Sequence, residues 1–444
     1  MDSTLDAAPA GSAGGSLSPA EERLTMRQVA WRILPFLMLA YFVAFVDRVN
    51  AGFAALQMNR DLNLSQSVFG FGGGLFYVSY VLFEVPSNLL MEKVGARRWI
   101  ARILLSWGVV AGAMAFVVGP HSFYAVRFLL GAAEAGFFPG VILYLTYWFP
   151  KEYRGRIVAI FMVSIPVSGF LGSPISGALL GTDGWLGFRG WQWLFVLEAL
   201  PAVLLGLVAL AALPDGPAGA RWLAPHRRAW LARRLEDDRA AAQGAAPKLP
   251  VWRVMTDRRV LAASLIYAGA SGASQCLSLW QPQIIKSFGL TNMQTGLLNA
   301  VPFGIASVLM ILWGRSSDRM RERTWHTGLP LLLLAASLAA AVFFTTLAPT
   351  VAVLCVAVTA TYIVKGPFWA LSTEWLAASA AAAGIAQINA IGNIGGFVGT
   401  TLLGVIKDAT GSYPLGLLPL AVISLAGGVL VFALGKRQAG AAGG

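Results

Sequence analysis

The stretch "AYFVAFVDRVNAGFAAL", residues 40–56, sets Asp47 beside Arg48 inside an otherwise apolar run. A charge near the middle of a membrane helix costs ~2.5–3.5 kcal/mol on insertion scales, so such residues usually have a partner and a task. Neighbours on a helix point about 100° apart, so this pair cannot simply neutralise itself. Each side chain must face something else.

The rest of the chain is built for lipid. Of 444 residues, 57% are hydrophobic and only 12% charged, whereas soluble domains average about 25% charged. Twelve apolar segments are long enough to cross a ~30 Å hydrocarbon core. They fall near 30–53, 67–90, 98–118, 122–148, 156–180, 190–212, 258–281, 293–313, 326–347, 350–373, 383–406 and 414–435. With both termini cytoplasmic, 25 of the 33 Lys and Arg lie in cytoplasmic segments. Arg60, Arg189, Lys286 and Lys407 lie in external loops, and Arg32, Arg48, Arg127 and Lys365 lie within helices. That bias fixes the expected orientation and accounts for the net charge of +12. No basic groove with interleaved aromatics appears, so no nucleic-acid partner is expected.

One long polar segment, 214–257, separates six apolar segments from six. Its "RRAWLARRLEDDRA" (227–240) reads either as an amphipathic helix with Trp and Leu toward lipid or as a solvated connector. The expected organisation is a disordered cytoplasmic tail (1–29), an N-terminal six-helix lobe (30–213), a cytoplasmic central loop (214–257), a C-terminal six-helix lobe (258–435) and a short tail (436–444). The halves also echo each other. "FFPGVILYLTYW" around Pro139 resembles "KGPFWALSTEW" around Pro367, a spacing of 228, and "MEKVGARR" (91–98) parallels "SDRMRER" (317–323). Glycine clusters recur in segments 5 and 11 at Gly169, Gly172 and Gly177 and at Gly392, Gly395, Gly396 and Gly399. With Trp148 and Trp375, which are 227 apart, four echoes in one order suggest a duplicated unit, the parallel repeat of a two-lobed transporter with its site between the lobes.

Several stretches resemble the major facilitator superfamily and, within it, the anion:cation symporter family of organic-anion permeases. They are "VDRVN" (46–50), "YVLFEVPSNLLMEKVGARRWI" (80–100), "RFLLGAAEAGFFPGVILYLTYWFP" (127–150), "GWQWLFVLEALPA" (190–202), "GPFWALSTEWL" (366–376) and "AAAGIAQINAIGNIGGFVG" (381–399). Permeases for tartrate, phthalate, 4-hydroxyphenylacetate and sugar acids are the nearest in kind; sialin and the vesicular glutamate transporters are more distant. The resemblance implies an all-α membrane fold of twelve transmembrane helices in two six-helix lobes, in a bacterial-type inner membrane. It implies alternating-access import of a small organic carboxylate, whether hydroxy acid, sugar acid or aromatic acid. Proton symport is expected, with sodium coupling or anion exchange as the alternative, and a monomer as the working unit.

Depth can be read from 1.5 Å of rise per residue. On that scale Asp47 and Arg127 lie at similar depth, and Arg127 and Glu134 share one face two turns apart. The expectation is that Asp47 faces Arg127 while Arg48 turns to the cavity. Asp47 and Glu134 are then proton-carrier candidates, because a carboxylate takes a proton when its cation is engaged elsewhere; Arg127 modulates them. Arg48 offers a planar fork suited to a carboxylate. The resemblance implies the same roles, with the helix 1 Arg on substrate and the acids of helices 1 and 4 in coupling.

Lys365 either faces the cavity, where with Arg48 it would favour a dicarboxylate, or reaches a helix carbonyl or Glu374. Gly366-Pro367 should break or kink helix 10. Tyr80, Gln275, Ser372, Asn389 and Asn393 are candidates to hydrogen-bond substrate, and Trp369 to floor its apolar part. Glu84 and Glu198 read as bracing residues. "NLLMEKVGARR" resembles the superfamily's loop between helices 2 and 3. It offers Glu92, Lys93, Arg97 and Arg98 as gate residues, echoed by Asp318 and Arg319.

An enzyme is disfavoured, because no HExxH, GxSxG or Walker A pattern occurs. His121, His226 and His326 are scattered, so no metal site is read, and no cofactor is expected. Without a phosphate-binding loop the energy source is an ion gradient. A channel is the remote alternative. Cys276 and Cys355 sit in apolar segments and form no disulfide framework.

Overall fold

The computed structural model describes residues 17–243, 251–375 and 381–442. Twelve helices in it are long and apolar enough to span a membrane, and no strand occurs among the described residues. The first, α1 (Pro19–Asp61), begins well before residue 30. Ser18 caps it: its hydroxyl accepts from the Glu21 N–H, and the Glu21 carboxylate accepts from the Ser18 N–H at 3.1 Å. This capping box, with Pro19 at the first helical position, extends the helix through what the sequence reads as tail. Residues 1–16 of that expected tail lie outside the described residues.

The N-terminal half continues with α2 (Gln66–Val94), α3 (Ala96–Ala113), α4 (Pro120–Glu134), α5 (Phe137–Thr146), α6 (Lys151–Met162), α7 (Ser164–Leu179) and α8 (Gly190–Ala212). After the short helices α9 (Pro225–Gln243) and α10 (Val251–Met255) come α11 (Arg258–Lys286), α12 (Asn292–Met320), α13 (Thr324–Ala340), α14 (Leu347–Ile363), α15 (Lys365–Trp375), α16 (Ala381–Thr410) and α17 (Tyr413–Ala442).

Three spans are made of two helices each, α4–α5, α6–α7 and α14–α15. The sequence foretells only the last of these interruptions. Between α4 and α5 the chain turns at Gly136 with φ +83°, and a side chain there would also collide with the Ser87 hydroxyl of α2. Only glycine meets both demands. In the tenth span the break falls at Val364, just before Lys365, and Pro367 sits in the first turn of α15. There its missing N–H leaves no bond unmade. Interrupted backbone at membrane depth is tolerated where protein or a water-filled cavity satisfies it.

Helices α1–α8 form one lobe and α11–α17 the other, joined where α2 meets α16, α7 meets α12 and α1 meets α11. These contacts concentrate at the end of the bundle opposite the chain termini. The approach is backbone to backbone: a Cβ on Gly70 would lie 2.5 Å from the Thr400 carbonyl, and one on Gly177 3.2 Å from the Gly296 Cα. Asn299 donates to the Ser173 hydroxyl across the same seam at 2.8 Å. Asp408 of α16 accepts from the Gln66 and Ser67 N–H groups at 3.1 and 2.7 Å, closing the first turn of α2. Of the glycines read from the sequence, Gly169 and Gly177 serve this seam. Gly172 meets Val46, and Gly392, Gly395, Gly396 and Gly399 lie against residues of their own lobe.

Residues 227–240 are helical, within α9, but neither lipid-facing nor a fully solvated connector. Leu231 and Leu235 of α9 are buried among N-lobe residues rather than turned to lipid. Arg234 pairs with Glu152, and Asp238 accepts from the Lys151 N–H at 2.8 Å. Residues 244–250 of the connecting segment lie outside the described residues.

Close approach within the N lobe is testable at a single position. A Cβ on Gly131 of α4 would overlap the Phe76 carbonyl of α2, whereas Gly155 of α6 has nothing within 4 Å. Gly131→Val should therefore destabilise the purified protein by about 1–3 kcal/mol. Gly155→Ala should hold or raise its thermal midpoint, since alanine favours a helix by ~0.5–1 kcal/mol. Thermal unfolding in detergent compares the two.

Candidate functional site

Helices from both lobes converge on a cavity of about 100 Å³. Its N-lobe wall carries Arg48, Tyr80 and Phe138, and its C-lobe wall Gln275, Lys365, Trp369 and Asn393. The wall is aromatic and polar by turns, with one cation on each side.

Arg48 is tied to Glu134. Its Nε and Nη2 both donate to Glu134 Oε1, at 2.9 and 2.5 Å. The Glu134 side chain is 2% exposed and that of Arg48 18%, so the carboxylate is sealed in the lobe while the guanidinium reaches the cavity. Glu134 is the last residue of α4, so the helix break fixes where the acid ends up. The rings of Phe45, Phe76 and Tyr80 surround the guanidinium at 4.8, 5.3 and 5.4 Å, a setting that favours a planar cation.

The expected pairing of Asp47 with Arg127 is not made. Arg127 donates from Nη2 to the Gly73 carbonyl at 3.1 Å and lies over the Phe76 ring. Asp47 accepts from Asn50 at 3.1 Å, and its second oxygen has no partner among the described residues. It stands beside Glu198 of α8, which accepts from Ser176 of α7 at 2.7 Å. Rise per residue left the direction of Asp47 around α1 open. With Arg48 turned to α4, the roughly 100° step sends Asp47 toward α7 and α8.

On the other lobe Lys365 faces the cavity. Its ammonium lies 3.4 Å from the Ser274 hydroxyl and 4.4 Å from the Tyr362 ring centre; the side chain of Glu374, the alternative partner, lies outside the described residues. Gln275 donates to Asn393 at 2.9 Å and to Ser271 at 3.2 Å. The Trp369 ring stands 5.0 Å from that of Tyr267. Two sequence candidates lie off the wall. Ser372 is buried in the lobe. Asn389 spends its amide on Glu84 of α2, at 2.9 and 3.2 Å.

Residues 37–400 match the family model of the Major Facilitator Superfamily. The chain belongs to that superfamily. A protein of Agrobacterium vitis described as a tartrate transporter is 50% identical over 419 residues, covering 94% of this chain and 95% of its own. A quinolone resistance transporter of Acinetobacter baumannii is 41% identical over 414 residues, covering 93% and 95%. Among solved structures, a bacterial homologue of the human lysosomal transporter Spinster superposes with a TM-score of 0.72 at 16% identity, covering 95% of this chain and 98% of that one. The protein is a multi-pass membrane transporter of the bacterial inner-membrane kind, and not an enzyme.

Of the facilitator's expected gate residues, Arg97 and Asp318 are engaged, neither of them across the lobes. Arg97 binds Asp215 through its backbone N–H at 3.0 Å and its guanidinium at 3.7 Å. Asp318 pairs with Arg323 at 2.8 Å rather than with Arg319. Glu92, Lys93, Arg98 and Arg319 make no ion pair among the described residues. The cross-lobe bond on that side is instead Asn389 to Glu84, which the sequence reading took for a brace. A lone acid among apolar residues signals a partner, but not which lobe supplies it.

The corrected pairing has a direct consequence for stability. Asp47→Asn removes no ion pair, so its unfolding free energy should stay within about 1 kcal/mol of the unchanged protein. A carboxylate salt-bridged to Arg127 would instead cost about 3–5 kcal/mol when lost. Thermal unfolding of the variant distinguishes the two arrangements.

Proposed function

We propose that this facilitator imports a small organic carboxylate together with protons, by alternating access about the central cavity. The observation that carries the reading is the position of Arg48, on the cavity wall and in the grip of Glu134 at once. A carboxylate holding a cation stays ionised, and a buried one that loses its cation takes a proton. Protonating Glu134 therefore frees the Arg48 fork for a substrate carboxylate, and substrate bound to Arg48 favours the proton on Glu134. Each ligand prepares the site for the other, which is the thermodynamic content of symport. Asp47, buried beside Glu198 without a cation, is the second candidate proton carrier. Arg127 biases Glu134 from its place under Gly73.

Lys365 extends the reading to a dicarboxylate, one end on Arg48 and the other on the opposite lobe. Gln275 and Asn393 are placed for substrate hydroxyls, with Tyr80 and Trp369 closing on its apolar edges. The description of the Agrobacterium vitis relative supports a hydroxylated dicarboxylate of tartrate's size. The Lys and Arg bias supports cytoplasmic termini, which puts the glycine seam on the outer side and the Glu84–Asn389 bond on the inner side. Arg97, Arg98 and Asp318 then line the inner mouth, free to form new pairs as the lobes rock.

Vesicle uptake tests the coupling. Between about pH 5.5 and 8, where substrate carboxylates stay ionised, L-tartrate should bind more tightly as pH falls, because protonation frees Arg48. Glu134→Gln should bind with no pH dependence and lose uptake driven by a pH gradient; full gradient-driven uptake in that variant would sink the assignment. An imposed sodium gradient separates the alternative coupling ion.

Recognition of the anion is tested on Arg48. Arg48→Lys keeps the charge and loses the fork, so L-tartrate should bind about tenfold or more weakly. Lys365→Ala should weaken L-tartrate more than a matched monocarboxylate such as glycolate.

A further inference from the structure

We infer that the face opposite the chain termini carries a second anion site, separate from the central cavity, which takes a small hydroxylated carboxylate. The choice of carboxylate rests on the proposed substrate class; the existence of the site rests on its own residues.

A pocket of about 370 Å³ opens there between the lobes, several times the volume of the central cavity. The end of α1 contributes Asn59 and Arg60 and the start of α2 Gln66. The end of α11 contributes Gln283 and Lys286, and the start of α17 Tyr413. Ala55 and Leu56, about one turn beyond Gly52, which packs on the Leu279 carbonyl of α11, also line it. The pocket thus sits over the closed seam, where the lobes must part for substrate to pass.

Amides in its wall are left without partners. Asn59 and Gln283 are only 8% and 6% exposed, yet neither Asn59 Nδ2 and Oδ1 nor Gln283 Nε2 has a partner among the described residues. Gln66 Oε1 is in the same condition. Buried polar groups are paired in the large majority of cases, and each exception asks for an explanation. These two donors and two acceptors are closed off from solvent while the lobes are shut, so they come within reach of a ligand only as the seam begins to part; hydroxyl groups, which give and take hydrogen bonds at once, suit such a set.

The charge is supplied by one cation from each lobe. Lys286 spends one of its three ammonium donors on the Leu290 carbonyl at 2.6 Å and keeps two. Arg60 is almost fully exposed at the rim, its Nε 3.9 Å from Asp61. The nearby acids are already engaged. Asp61 takes both Nε and Nη2 of Arg189, at 2.9 and 3.0 Å, and Asp408 closes the first turn of α2. A carboxylate between Arg60 and Lys286 therefore meets positive charge that these acids do not cancel. Such a site concentrates the anion above the gate and engages both lobes before they separate.

A thiol placed in the pocket reads its occupancy. Ser287 lines it, so a Ser287→Cys variant of the full chain, with Cys276→Ala and Cys355→Ala to remove the native thiols, is labelled with a maleimide. Folding is checked by size-exclusion chromatography. Millimolar L-tartrate should slow labelling severalfold, D-gluconate comparably and succinate, without hydroxyls, less. The protection should persist when Arg48→Ala removes the central site and should weaken about tenfold in Lys286→Gln or Asn59→Leu. Three results would overturn the site: no protection by any of the three anions, protection abolished by Arg48→Ala, or equal protection by sodium chloride at matched ionic strength. Protection that persists while no Arg48-dependent binding is found would strike the central-cavity reading and leave this site standing.

Discussion

A guanidinium inside a membrane lobe is too costly to stand alone, and the bond from Arg48 to Glu134 meets that cost while leaving the guanidinium at the cavity. Much of the N lobe follows from that bond. It ties α1 to α4, it needs α4 to end where Glu134 can turn inward, and it needs aromatic rings rather than water around the cation. Because both nitrogens bond to one carboxylate oxygen, the pair is strong enough to be ordered without using every donor of the arginine. A permanent structural bridge has little reason to sit on a cavity wall. On the proposed reading this bridge opens and closes, which suits its place there.

Helix interruptions serve the same end. Hydrocarbon offers no hydrogen bonds, so backbone breaks are confined to places where protein or trapped water supplies them. The break after Glu134 and the break before Lys365 each put a charged residue at a helix terminus. Glu134 closes α4 and Lys365 opens α15, so the two breaks carry their charges on opposite kinds of helix end. In the first half the acid holds a cation; in the second the cation itself faces the cavity.

The lobes meet through glycine, with aromatic rings packed beside it, such as Phe69 on Trp280 and Phe71 on Phe397. Backbone contact at Gly70, Gly177 and Gly296 brings helices close. Small residues permit this in membranes, where association relies on close contact and hydrogen bonds rather than on expelling water. The seam is reinforced by groups that can exchange partners, such as Asp408 on the α2 terminus and Asn299 on Ser173. Opposite it, Asn389 on Glu84 links the lobes among the described residues. Rocking between states then trades one small set of hydrogen bonds for another.

The sequence by itself determined the solvent, the number of spans and the residues with chemistry to explain. Hydropathy reports burial in lipid directly, and a charge in an apolar run is conspicuous because it is expensive. Thus Asp47, Arg48, Arg127, Glu134 and Lys365 were all legible, and the Gly366-Pro367 break was found to within a few residues. Pairing was not legible. Asp47 against Arg127 satisfied charge and depth, yet Arg48 holds Glu134, Asn389 holds Glu84, and α9 lies on the N lobe rather than on lipid. Rise along a helix is fixed by local geometry, so depth can be counted from the sequence. Direction around the helix, and which lobe faces which side chain, depend on how neighbouring helices cross. That is decided only when the whole bundle closes.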